Sequence, residues 1–213
     1  MTDAGRVVAV CVVAEEHHLD PRKPEQRTAI DKRPAVGPVA VDELGPVTDH
    51  VCDTRHHGGH EQAVYAYSDH EAARWADELG RELPLGWFGE NLRVDGHTTD
   101  LVVGTRLRVG DELELEVTIP RTPCRTFALW SGEDDWLKRF TARGDTGAYF
   151  RVLNPGPVAA GDRLTVVHAP GHGATVRDLF HATRPERLRA LLTSPDLPPK
   201  VERDARRALN RAD

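Results

Sequence analysis

Cys124 ends the stretch Thr118-Ile119-Pro120-Arg121-Thr122-Pro123-Cys124-Arg125 and is the residue of this sequence best placed to do chemistry. Two prolines fix φ and remove two backbone donors, so the segment can neither continue as an inner strand nor enter a helix interior. It stops a strand and holds one thiol between arginines. A thiol beside fixed cations ionises more readily, and the thiolate is the form that attacks an electrophile or binds a metal. The same residues also fit a buried cysteine packed as a small core side chain. The segment alone supports both readings.

A second concentration of chemistry is the histidine cluster His50, then Arg55-His56-His57-Gly58-Gly59-His60. Structural zinc sites add cysteines at set spacing or place two histidines one helical turn apart. Gly58-Gly59 argues against a regular helix here. Paired glycines instead let backbone N–H groups approach an anion or cofactor closely. The cluster therefore reads as a loop lining a cofactor, or as a plain connection, ahead of a zinc site.

Short β-branched and alternating runs must position these residues. Residues 7–13 read as a buried first strand and residues 63–67 as another. Ser68-Asp69-His70-Glu71 has the form of a capping box. Ala72, Trp75, Ala76 and Leu79 follow at helical spacing, with Gly80 as the stop and Trp75 as a core anchor. Residues 84–92 are a turn-rich loop. Leu113, Leu115, Val117 and Ile119 alternate with Glu112, Glu114, Glu116 and Thr118, which predicts a strand with its polar face in solvent. Gly110-Asp111 marks a hairpin turn before it. A weaker copy covers residues 158–166, and residues 148–153 form a further strand. A short helix is expected over 133–140. Many short strands divided by Gly and Pro turns favour a barrel or sandwich. Beyond residue 170, three short helices begin near Thr175, Thr183 and Pro198. Short helices are marginal alone, so these must pack on each other and on the barrel or a second subunit. A homodimer is among the assemblies this allows.

The chain has 213 residues, enough for one large domain or one domain with a small appendage. With 29% charged residues and a mean hydropathy of -0.49, it reads as a soluble globular protein. A net charge of -6 argues against nucleic acid or an anionic membrane as its main partner. Cys11, Cys52 and Cys124 form an odd, sparse set without a C-x-x-C pair, which suggests a reducing cytoplasm. The longest apolar run, residues 7–14, is far short of the ~20 needed to span a bilayer, and no signal peptide is read.

Four stretches taken together carry a family resemblance. They are His57-Gly58-Gly59, Phe88-Gly89-Glu90-Asn91-Leu92, Pro120-Arg121-Thr122-Pro123-Cys124 and Gly147-Ala148-Tyr149-Phe150-Arg151-Val152. In this order and spacing they resemble MOSC-domain proteins, the molybdenum-cofactor sulfurase C-terminal domain family, in their YiiM-like branch. The resemblance implies a mainly β fold with some α: a closed MOSC β-barrel of the pyruvate-kinase-like type, then a small three-helix segment. The expected division is a strand and loop over 1–26, the barrel over 27–169 and the helices over 170–213.

The resemblance also implies a molybdopterin-type cofactor and, at family level, pyridoxal phosphate binding. Cys124 matches the residue that ligates molybdenum or carries a persulfide. Arg121 and Arg125 would hold anionic groups through forked hydrogen bonds. Asn91 would bond an oxo or pterin group, and Glu90 would relay protons. His57, Gly58 and Gly59 would line the pocket, with Phe88, Gly89 and Gly147 beside it. Thr28, Lys32 and Arg33 lie where the family often carries a basic pair. One departure is Gly45-Pro46-Val47-Thr48-Asp49, where Thr48 replaces the family's usual glycine. The leading expectation is reduction of an N-hydroxylated small molecule, with electrons from an external flavin or iron–sulfur donor because the chain has no redox motif of its own. The alternatives are a sulfur carrier with a persulfide on Cys124, and a non-catalytic binding module.

Overall fold

The computed structural model describes residues 2–55 and 57–212. Its organising element is β1 (Thr2–His17), far longer than the apolar run that signals it. Its register shifts at four points, so one strand bends enough to serve three partners. Its N-terminal end pairs with β11 (Arg163–His168), its middle with β6 (Leu92–Val94), and its C-terminal end with β2 (Thr28–Pro34).

The remaining barrel strands are β5 (Val64–Ser68), β7 (Arg106–Val109), β8 (Leu113–Pro120) and β9 (Ala148–Asn154). The order β11-β7-β8-β9-β5-β6-β1 returns to β11, which gives a closed seven-stranded barrel. β1 is thus a barrel strand, and the barrel begins well before residue 27. β5 and β6 run parallel and the other barrel neighbours antiparallel. The parallel pair needs a crossover, which α1 (Asp69–Leu79) and the following loop provide. A small second sheet joins β10 (Gly156–Val158), β3 (Val39–Asp42) and β4 (Gly45–Pro46).

Alternation on β8 buries Leu113, Leu115, Val117 and Ile119, as the pattern requires. The opposite face departs from expectation, because Glu116 and Thr118 are also buried. Arg106 and Arg151 clamp the Glu116 carboxylate at 3.1 and 2.8 Å, and Thr118 donates 2.7 Å to the Glu61 carbonyl. Toward the end of β8 the polar face is covered by partners rather than by water, while Glu114 stays partly exposed beside Arg108.

The helix expected over 133–140 is present, shifted by a few residues, and a second, unexpected helix precedes it. α2 (Arg125–Ser131) starts directly after Cys124, and α3 (Trp136–Arg143) follows Gly132, whose φ of 68° breaks the run. Phe127, Trp136 and Phe140 join Tyr67, Trp75, Trp87 and Phe88 in an aromatic core outside the barrel. The capping box on α1 does not form. Ser68 is the N-cap but makes no side-chain cap bond, and buried Glu71 accepts from Thr98 and Thr99 instead. α4 (Val176–His181) does carry a capping box between Thr175 and Asp178. With α5 (Pro185–Leu191) and α6 (Pro199–Ala212) it packs onto the barrel, burying Val176, Leu179, Leu188, Leu191, Val201, Ala205 and Ala208 in the main core. Among the described residues, no helix is long and apolar enough to cross a membrane.

Candidate active site

Where β8 ends, Pro120 and Pro123 stop the ladder and Cys124 becomes the N-cap of α2. Its thiol faces a cavity of about 540 Å³ bounded by β2, the loop after β4, the loop before β6, and residues of β5 and β9. That is room for a cofactor-sized molecule. Burial opposes ionisation of the Cys124 thiol. A hydrogen bond with His57, the charge of Arg121 and the Phe127 backbone N–H outweigh it and hold the pKa at about 6, against an ordinary 9.0. The other two cysteines go the opposite way. Burial pushes Cys11 up to about 12, and burial with the Glu16 charge raises Cys52. Near neutral pH, Cys124 alone of the three is mainly thiolate.

Arg121 is itself buried. It donates 2.6 Å to the Phe88 carbonyl and lies 3.8 Å from the centre of the Phe127 ring. The carbonyl and the ring fix the guanidinium beside the sulfur. Tyr149 also lines the cavity; burial raises its pKa despite Arg121, so it is a neutral phenol and a potential proton donor. Tyr65 donates 2.8 Å to the Thr146 carbonyl.

The far wall is built on Asp49. Its carboxylate accepts from Lys32, from the Asn91 side chain at 2.7 Å and from the Val13 backbone at 2.8 Å. Lys32 and Asp49 are both nearly sequestered, with side chains 8% and 7% exposed, so the pair neutralises itself at the wall. Asn91 also donates to the Cys11 carbonyl and accepts from the Tyr65 N–H at 3.1 Å. Both its amide hydrogens are therefore directed at protein partners, and it stitches β1 to β5 rather than presenting a free donor.

The cavity wall gathers Cys124, His57, Arg121, Asn91, Gly58, Gly59, Gly89, Thr28 and Lys32. Four other expected site residues lie off it. Glu90 is fully buried, accepting from the backbone of Gly86 and Phe88 and from Arg93 at 2.5 Å; it pins the loop and is shut off from any substrate. Phe88 stacks on Tyr67 at 3.8 Å in the aromatic core. Arg125 turns outward to Asp20, with its Nη2 at 3.0 Å from the carboxylate. Gly147 sits where a Cβ would lie 2.5 Å from the Ala66 carbonyl, so its place is dictated by close packing on β5. The histidine cluster is also divided. His57 meets Cys124, His50 meets Glu16, His60 opens a 3-10 turn, and His56 lies outside the described residues.

Asp49, Tyr65 and Arg27 also reach the wall but carry no distinctive sequence signal of their own, and Tyr149, which lies within the Gly147–Val152 stretch, is not among the expected site residues. Asp49 closes the Gly45–Asp49 turn, which sequence flags only for its substituted glycine. Its partners come from Val13, Lys32 and Asn91, too distant in the chain for a local pattern.

A closed small barrel with a low-pKa cysteine at its rim defines a class. The MOSC domain model matches residues 53–165, and the chain belongs to the MOSC domain family. It is 35% identical to YflK of Bacillus subtilis over 151 residues, covering 70% of this chain and 68% of that protein. It is 33% identical over 153 residues to a Gibberella moniliformis protein named "Reductase", covering 68% of this chain but 27% of the relative. The solved structure of YiiM from Geobacillus stearothermophilus matches 96% of this chain and 98% of its own, with a TM-score of 0.75 at 23% identity. That likeness shows the fold.

Proposed function

We propose that the cavity takes a molybdopterin-type cofactor, with the Cys124 thiolate as the protein's ligand to molybdenum, and that the protein reduces N-hydroxylated small molecules to the corresponding amines. The observation that carries this reading is a thiol held at about 6 inside a cavity of about 540 Å³. Such a sulfur is ionised at neutral pH, and a thiolate is the soft donor a sulfur-bound metal accepts. The other residues present fit the group. The Arg121 guanidinium and the Gly58-Gly59 backbone, at φ 76° and 81°, offer positive charge and close approach to anionic oxygens. When bound, the molybdenum centre would supply two-electron removal of oxygen from the N–O bond.

The chain's own residues do the rest. Arg121 and His57 keep Cys124 ionised and oriented. The Asp49-Lys32-Asn91 network holds the opposite wall rigid. Tyr149 offers a phenolic proton within the cavity. Two electrons must come from a partner, for which a flavin or iron–sulfur reductase is the expected class. The test is molybdenum analysis of protein made in a host that synthesises the cofactor, with an N-hydroxyl reduction assay beside it. Near-stoichiometric molybdenum that is lost in Cys124→Ser, together with reduction, is expected; protein without either would refute the reading.

The same low-pKa thiol also suits a persulfide carrier. Mass spectrometry of Cys124 after incubation with a cysteine desulfurase and its substrate separates the two. A transferable sulfur adduct on metal-free protein would favour the carrier.

A further inference from the structure

The loop after β4 carries donors that the Cys124 thiol does not use. Glu16, near the end of β1, meets His50 and Cys52 from that loop. One carboxylate oxygen, one imidazole nitrogen and the thiol sulfur all lie within 4.8 Å of one another. The Glu16 oxygen Oε1 is 2.8 Å from Nε2 of His50, and its other oxygen is 2.9 Å from Nε of Arg27. His50 and Cys52 both line the cavity that holds Cys124.

We propose that Glu16, His50 and Cys52 form a site for a zinc-class divalent ion on the cavity wall. The donor set selects the metal. Magnesium and calcium take oxygen donors, whereas one thiolate, one imidazole and one carboxylate suit zinc. In a finished tetrahedral site, metal–sulfur and metal–nitrogen bonds of about 2.3 and 2.0 Å set those donors about 3.5 Å apart. The edges to sulfur, now at most 4.8 Å, therefore close toward that value while the 2.8 Å Glu16–His50 edge opens slightly, a rearrangement that side-chain rotation on a loop can supply. Arg27 holds the second carboxylate oxygen and so orients Glu16 as a ligand. Three protein ligands leave one coordination position open. A small molecule in the cavity can fill it, so the ion provides a second anchoring point independent of Cys124. Binding breaks the Glu16–His50 hydrogen bond and releases the Cys52 proton to solvent, with no change of oxidation state.

The neighbouring group Glu15, His17 and Asp31 is a weaker claimant. It has no sulfur, and Asp31 is already held by Arg33 at 2.8 Å and His17 at 3.1 Å.

Cobalt(II) is the probe, titrated into full-length Cys124→Ser protein so that the other cavity thiol is absent. Cys11, fully buried, is out of reach. The expected result is one equivalent of cobalt with a thiolate-to-cobalt charge-transfer band, displaced by zinc. The band should vanish in the Cys52→Ser/Cys124→Ser double variant. His50→Ala in the Cys124→Ser background should weaken binding at least about tenfold. His50 is 48% exposed, so that variant keeps the test open if the loss of Cys52 disturbs folding. Cobalt bound without the band would place the ion on oxygen and nitrogen donors elsewhere and overturn the proposal. So would a band that survives the double variant, or no cobalt binding at all.

Discussion

Replacing His57 by Ala should raise the Cys124 pKa by one to two units. The hydrogen bond with His57 is the strongest of the influences that lower it. A hydrogen bond to a charged group contributes about 1.5–3 kcal/mol, and 1.36 kcal/mol corresponds to one pKa unit. The midpoint therefore moves from about 6 to about 7–8. At pH 7 the thiolate fraction falls from about nine-tenths to between one half and one tenth. The assay is the pH dependence of iodoacetamide alkylation, with mass spectrometry assigning the label. Selectivity is built in, because Cys11 and Cys52 are raised and stay protonated over the same range. The midpoint is the quantity to read, not the absolute rate, since nucleophilicity itself falls with pKa. A wild-type midpoint near 9 would refute the account of the site. A midpoint near 6 that His57→Ala leaves in place would show that Arg121 and the α2 backbone suffice without the imidazole.

The folded pKa of Cys124 lies below its unfolded value, so its stabilising contribution is full above about 9 and is lost as pH falls through about 6. The melting temperature of wild type minus that of Cys124→Ala should rise across this window, and a flat difference would contradict it. Glu90→Ala should cost about 3–5 kcal/mol in denaturant unfolding, because Arg93, 2% exposed, loses its buried partner. Activity lost with stability intact would instead return Glu90 to the chemistry. Gly147→Ala, at φ 65° and against the Ala66 carbonyl, should destabilise by at least about 2 kcal/mol, with no such loss for Gly171→Ala, where a Cβ meets open space. Trp136→Ala should cost about 3–5 kcal/mol by emptying the aromatic core between Trp75 and Phe127.

Local chemistry made parts of this molecule legible. Alternation on β8, the Gly110 turn between β7 and β8, and the proline stop before Cys124 each depend on residues a few positions apart, and each appears as read. The failures share a cause. Glu71 leaves its capping box because Thr98 and Thr99, distant in sequence, offer it better partners in a buried place. Glu116 looks solvent-facing until Arg106 and Arg151 close over it. Asn91 and Glu90 sit side by side, yet one reaches the cavity wall and the other is sealed behind it, because Arg93 and the Gly86–Phe88 backbone draw Glu90 inward. α2 lacks an amphipathic signature, since Phe127, Ala128, Leu129 and Trp130 are apolar in succession.

The three-way pairing of β1 has a consequence for synthesis. Thr2 lies opposite Val166, and Arg6 opposite Arg163. At 5–20 residues per second, on the order of ten seconds or more separate the emergence of these partners from a ribosome. Throughout that interval the leading strand has β2 and β6 to hold but one flank unmated, an invitation to mispairing between nascent chains. Closing the cylinder through such distant partners predicts slow refolding from denaturant, which stopped-flow fluorescence would read.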